Sequence, residues 1–427
     1  MKNKKLFINI GQAFLANSIG RPLSKDELNK SKILSHCYIY TEDGIILHIG
    51  ENNSYEKYIS GDVEIIDIGG KVLTPGLIDA HTHFVFGGSR EHEFALKLNG
   101  IEYLDILKMG GGILNTYKAT NEIGFDDLYD KSKQILDHML SYGVTTVEGK
   151  SGYGLNFNSE VKQLEIMKKL NENHPVDVVS TFMAAHACPP EYKNDKDAYI
   201  DIIINEMIPY VAHKKLAKFQ DVFLETGVFD GKQAYKVLEA GNKYNLRARV
   251  HADEVDSIGG IDCAIKAGAI SCEHLMATTD EDMIKMAESG IIANLLPATT
   301  FSLMKENFAR ARDFINKGVP ITICSDFNPG SSPSENLQIA MMMAVYKMKL
   351  TPIEVLNAVT INAAYSLDLQ GSIGSIEIGK KADFAIFDVP NIDFIFYNFG
   401  VNNVTEVYKN AKLVYKNKGE QNARIQI

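Results

Sequence analysis

Eight short apolar runs, most of them followed by a helix-like stretch, lie between two strand-rich chain ends. Together these observations predict an α/β fold, a (β/α)8 TIM-like barrel with a small β-sandwich domain built from both chain ends. The composite β domain is expected over residues 1–71 and 367–427, and the barrel over 72–366. A chain of 427 residues has room for both.

The leading segment MKNKKLFINIGQAFLANS has a basic head, but Asn9, Gly11 and Gln12 interrupt its apolar stretch. It reads as a first β-strand rather than a signal peptide. CYIYTEDGIILHIG joins two β-prone runs across Asp43-Gly44, a dipeptide suited to a tight hairpin turn. From Val72 the eight runs begin: LTPGLIDA before His81, VTTVEG before Lys150, VDVVSTFMAA before His186, FQDVFLE, LRARV before His251, AISCE before His274, IIANLLP, and PITICS before Asp326. Such runs suit parallel strands buried on both faces. Between them, SEVKQLEIMKKL places Val161, Leu164 and Met167 on one helical face, with Ser159 as the expected cap. After Leu367, ADFAIFD and EVYKNAKLVYKNKG predict a strand and a hairpin.

Composition narrows the function classes. Hydrophobic residues make up 45% of the chain and charged residues 23%, and no run approaches the ~18 apolar residues of a membrane helix. The net charge of −10 argues against nucleic acid and anionic membranes as partners. The expected partner is a small molecule, and an anionic one needs its own local cation. Cys37, Cys188, Cys263, Cys272 and Cys324 form no CxxC pair, which fits a reducing cytoplasm.

In the strand count above, His81, His83, Lys150, His186, His251, His274 and Asp326 all fall at or just past a strand's C-terminal end. That end of a (β/α)8 barrel carries the active site, because the βα loops build it. Neutral imidazoles with a carboxylate suit zinc, iron or a similar ion. A lone His-x-His is weak evidence, and strand-end histidines such as His186 and His274 can simply bond loop carbonyls. The convergence of His81, His83, His251 and Asp326 from three separate strands is what raises the signal. His36, His48, His92, His138, His174 and His213 lie on hairpins, helices or helix ends without such partners. Cys188, Cys272 and Cys324 read as small buried hydrophobes.

PGLIDAHTH at 75–83 resembles the metal-binding opening of the amidohydrolase superfamily. GGSREHEF at 87–94, GGGI at 110–113, VTTVEGKSGYGL at 144–155, AAHACPPEY at 184–192, HADE at 251–254 and SDFNPGS at 325–331 narrow the resemblance. Together they are similar to the branch that opens the ring of 4-imidazolone-5-propanoate in histidine degradation. GSIGSIEIGKKADFAIFD resembles the superfamily's tail. Gly149 is a departure, since that branch more often has Ala there.

The resemblance implies one metal ion per chain, divalent or trivalent, zinc or iron, held by His81, His83, His251 and Asp326. Many relatives bridge two metals with a carbamylated lysine on the fourth strand. Here that strand ends in Leu-Glu-Thr, which implies a single ion. Lys150 then reads as structural or charge-balancing.

Asp326 is implied as the base for the attacking water, Glu254 as the shuttle to the leaving nitrogen, and His274 as the group that polarises the carbonyl. Arg90 would clamp the propionate through two parallel hydrogen bonds. Tyr153, His186, Glu254, Asn328, Gly330 and Ser331 are implied substrate contacts, although Asn328, Gly330 and Ser331 would form an Asn-Pro-Gly turn in any case. Tyr103 is a further candidate wall of the pocket, with a core position as its alternative. A homodimer is the implied assembly. Two rivals remain: a nucleobase deaminase, which would use the same His, Glu and Asp set but for which Arg90 has no obvious use, and a non-enzymatic scaffold, which would keep the barrel but have lost the metal ligands.

Overall fold

A computed structural model describes residues 3–417, apart from 17, 52–53, 60 and 102–110. Tyr103 lies outside the described residues. The N-terminal part supplies β1 (Lys4–Phe14), β2 (Ile33–Glu42), β3 (Ile45–Glu51), β4 (Val63–Asp67) and β5 (Val72–Pro75). β2 and β3 pair antiparallel through the expected hairpin. Asp43 and Gly44 adopt φ of 49° and 81°, the left-handed pair that a two-residue turn between twisted strands needs.

The barrel strands are β6 (Leu77–Thr82), β7 (Val144–Lys150), β8 (Asp177–Ala185), β9 (Phe219–Leu224), β10 (Arg247–Ala252), β11 (Ser271–His274), β12 (Ile292–Leu295) and β13 (Ile321–Ile323). They follow one another in sequence order, all parallel. Each of the eight apolar runs therefore holds one barrel strand. The seam between first and last strands is closed by the Asp326 N–H donating to His81 O at 3.1 Å and the His83 N–H donating to Phe327 O at 2.8 Å.

β14 (Phe384–Phe387), β15 (Val404–Lys409) and β16 (Lys412–Lys416) complete the second sheet, in the order β16-β15-β14-β5-β1-β2-β3, with β4 also on β1. The small domain from both chain ends is thus one eight-stranded sheet. Strand alternation covers both its faces: Phe7, Ile39 and Phe384 bury one, Leu6, Tyr38 and Tyr40 the other.

Two local expectations change. The run LTPGLIDA is divided: Val72–Pro75 pairs with β1 and β14 in the end sheet, and Leu77–Thr82 enters the barrel. Gly76 lies at the crossing, where a Cβ would sit 2.2 Å from Thr145 Oγ1, so only glycine passes. The helix Phe157–Asn173 is capped by Asn156, not Ser159. Asn156 accepts the Ser159 N–H at 3.0 Å, while the Ser159 hydroxyl donates to Asn121 Oδ1 at 2.6 Å. Val161, Leu164 and Met167 are buried as expected. No helix among the described residues is long and apolar enough to cross a membrane.

Candidate active site

The C-terminal ends of β6, β10 and β11 and the turn after β13 converge on a buried cup. His81 and His83 are two residues apart at the end of β6, so extended backbone sends both imidazoles the same way. The His251 ring centroid lies 4.7 Å from that of His81 and 5.5 Å from that of His83. Asp326 Oδ1 is 3.3 Å from His81 Nε2 and 3.8 Å from His83 Nε2. Donor atoms of His81, His83 and Asp326 lie within 4.8 Å of one another, and so do those of His81, His251 and His274. All four expected ligands and His274 thus share one site.

Backbone geometry aims two of these groups. His274 and Asp326 have φ of 71° and 51°, left-handed conformations that cost about 1–3 kcal/mol each in a non-glycine residue. The surrounding strands hold them there.

The donor set fits a metal ion. Burial holds the His81, His83 and His251 imidazoles well below their usual pKa, hence neutral, the form that ligates. Among the described residues, the buried Nε2 atoms of His81 and His251 have no hydrogen-bond partner. Burial also drives the Asp326 carboxyl well above its usual range, a shift that a bound cation opposes. Thr299 donates to Asp326 Oδ2 at 2.6 Å, fixing the carboxylate's rotation.

Beneath the cup lies a charge network that the sequence reading did not find. Lys150 Nζ is 2.7 Å from Glu148 Oε1 and 2.8 Å from Asp221 Oδ2, all three fully buried or nearly so. Arg249 Nη1 is 3.1 Å from Glu148 Oε1, and Glu273 Oε2 is 2.6 Å from His81 Nδ1. Asp221 Oδ2 lies 3.0 Å from His251 Nδ1. The available signal was a charged residue within four of the apolar runs, VTTVEG, FQDVFLE, LRARV and AISCE. Buried charge survives only when paired, so each of these demands a partner.

Glu254 and His274 face each other on the rim, with Glu254 Oε2 3.7 Å from His274 Nε2. Desolvation pushes the Glu254 carboxyl up to about 7 and the His274 imidazole down to about 4. His186 stacks on His83 at 4.8 Å and 18°, and its Nδ1 lies 3.1 Å from Gly152 O. Tyr153 is buried, its ring 5.3 Å from His186 and 5.8 Å from His83. Glu160 organises this loop by accepting the N–H groups of Gly152, Gly154 and Leu155 at 2.8–3.0 Å.

Arg90 is buried against Glu93, donating from Nε and Nη2 to Oε2 at 3.0 and 2.9 Å, while Glu93 Oε1 accepts Gly112 N–H at 2.7 Å. A Cβ on Gly330 would lie 2.1 Å from Arg90 Nη1, so the guanidinium rests directly on the Asn328–Ser331 loop. Asn328 shapes that loop: its Oδ1 accepts from Gly330 N and Ser331 N, each at 2.8 Å, and its Nδ2 donates to Asp326 O at 2.7 Å. The six remaining histidines form no metal-holding group among the described residues.

A parallel eight-stranded barrel with a His/Asp cup at its C-terminal mouth defines a metal-dependent hydrolase, and the sequence profile of the Amidohydrolase family matches residues 72–414. Two curated relatives, from Streptococcus gordonii and Streptococcus sanguinis, are 51% and 50% identical over 409 residues, spanning 96% of this chain and 97% of theirs. Both are named imidazolonepropionase, and the chain belongs to the amidohydrolase family in its imidazolonepropionase branch. The fold is shared with guanine deaminase from E. coli at a TM-score of 0.73 and 15% identity, covering 98% of this chain and 100% of that one.

Proposed function

We propose that this cup hydrolyses the ring amide C–N bond of 4-imidazolone-5-propanoate, giving N-formimidoyl-L-glutamate. The observation that carries this reading is a buried guanidinium, Arg90, resting on the same 325–331 loop whose first turn supplies Asp326. An arginine placed there answers the need for a carboxylate-binding cation in a chain of net charge −10.

His81, His83, His251 and Asp326, which fall in two overlapping His/Asp clusters, would hold one metal ion, zinc or iron, since imidazole and carboxylate serve both. When bound, such an ion would supply Lewis acidity and lower the pKa of water to ~7. Asp326 accepts the proton from the attacking water. Glu254 delivers a proton to the ring nitrogen as the C–N bond breaks, and the water oxygen ends on the carbonyl carbon. His274 donates a hydrogen bond to the carbonyl oxygen, where charge develops.

Glu93 occupies the Nε/Nη2 side of Arg90, so the Nη1/Nη2 end takes the propionate in two parallel hydrogen bonds. Tyr153, His186, Asn328, Gly330 and Ser331 line the substrate. The barrel part of the chain, from Leu77, carries this chemistry, and the described residues of the two chain ends, with Val72–Pro75, form the accompanying domain. The unpaired Cys37, Cys188, Cys263, Cys272 and Cys324 fit a cytoplasmic enzyme, and a homodimer is its assembly.

The test is consumption of freshly generated 4-imidazolone-5-propanoate, followed by ultraviolet absorbance with and without chelator. Chelator-sensitive loss with formiminoglutamate appearing is the expected result. A folded, metal-loaded sample that leaves the substrate intact refutes the reading.

A further inference from the structure

We propose that Glu273 is a positioning residue that fixes His81 as an Nε2 ligand, an inference that rests on the metal-site reading above. Glu273 lies on β11 one residue before His274, so alternation turns its side chain away from that of His274 and below the cup. Its Oε2 is 2.6 Å from His81 Nδ1, and both side chains have no exposure to solvent.

Three other groups hold the Glu273 carboxylate. Asn294 Nδ2 donates to Oε2 at 2.8 Å, Ser271 Oγ donates to Oε1 at 2.5 Å, and Arg249 Nε lies 4.0 Å from Oε1. A carboxylate so supplied with donors and a nearby cation is an acceptor toward His81, which places the imidazole proton on Nδ1. In neutral imidazole the proton on one nitrogen leaves the lone pair on the other. That other nitrogen is Nε2, which points to Asp326 Oδ1 at 3.3 Å and has no hydrogen-bond partner among the described residues.

The other two ligating rings lack such a lock among the described residues. His83 Nδ1 has no hydrogen-bond partner, and His251 Nδ1 meets Asp221 at 3.0 Å without hydrogen-bond alignment. Asp221 is also held by Lys150. The tautomer and ring angle of His81 therefore depend on one carboxylate supplied from β11, 192 residues away in sequence.

The experiment compares zinc affinity of the full chain and its E273Q variant by competition with a chromophoric chelator, alongside thermal unfolding of the zinc-free forms. Loss of an outer carboxylate partner of a metal-ligating histidine weakens binding roughly 10- to 100-fold, and that rise in the zinc dissociation constant is the expected result. A dissociation constant within about twofold of the parent (a few tenths of a kcal/mol by the relation between affinity and free energy), whatever the change in unfolding temperature, reduces Glu273 to a packing role and overturns the proposal. Nitrogen-15 NMR of histidine in the unmodified zinc-loaded enzyme tests the same point if E273Q does not fold. His81 protonated at Nδ1 supports the assignment, and His81 ligating through Nδ1 refutes it. An unmodified enzyme that takes up no zinc or iron refutes the metal-site reading itself, a result distinct from equal affinity in parent and variant.

Discussion

Glu254 Oε2 stands 3.7 Å from His274 Nε2, each at the mouth end of neighbouring barrel strands. The gap exceeds a hydrogen bond, so neither side chain is consumed by the other. Their burial moves them in opposite directions, the carboxyl up to about 7 and the imidazole down to about 4. An acid that stays protonated near neutrality and an imidazole that stays neutral are what proton delivery and carbonyl polarisation require.

Replacing Glu254 with Gln should lower kcat by roughly 10²- to 10⁴-fold, the usual contribution of a positioned acid. Bound metal should stay near one per chain. In the parent, kcat/KM should fall as pH rises through about 7, because the donating form of Glu254 is lost there. A variant that retains that descending limb assigns it to another group.

Arg90→Ala should raise KM while leaving metal content unchanged. Losing a charge-assisted pair of ~1.5–3 kcal/mol corresponds to about 10- to 150-fold. Gly330→Ala should show the same KM signature with Arg90 still present, since its methyl would sit on Nη1. Steady-state kinetics on both variants checks the pair, and an unchanged KM in Arg90→Ala removes the clamp.

Lys150→Met should destabilise the fold by about 3–5 kcal/mol, because it strands Glu148 and Asp221 in a dry interior with one cation fewer. Urea unfolding measures this directly. A loss below ~1 kcal/mol would mean that the two carboxyls take up protons at little cost.

Asp79 gives a stability test. It is fully buried, its Oδ1 accepts the Ser325 N–H at 3.1 Å, and burial pushes its carboxyl up to about 7. The folded chain then binds a proton more tightly than the unfolded chain, whose carboxyl titrates near 3.8. Its contribution is complete below ~4, declines as pH rises and is gone once pH passes about 7. Asp79→Asn should therefore gain on the parent between pH 4 and 7 and track it above 8. A difference independent of pH contradicts the shift.

The strand count and the metal cup were legible in sequence for one reason. The proposed ligands close apolar runs, and a polar residue at the end of such a run is visible without knowing the fold. The network under the cup was not. Lys150 and Asp221 are 71 residues apart and His81 and Glu273 are 192 apart, so their pairing depends on barrel register that no local pattern carries. Gly149 shows the same limit. A Cβ there would meet Phe84 Cε1 at 2.6 Å, so an alanine requires that ring to shift. The cap at Asn156 was missed because two capping residue types lie three positions apart, and the loop held by Glu160 decides which one starts the helix.

The seam that closes the barrel also imposes an order on the protein's making. Asp326 donates its N–H to His81 O, so the first and last ligand-bearing segments complete each other's backbone pairing. A nascent chain emerging from the ribosome carries His81 and His83 early and His251 later, but Asp326 only after more than three quarters of its length. On the proposed ligand set the site is completed only when that last segment is in place, and a chain ending before it would lack both the closed seam and the fourth proposed ligand.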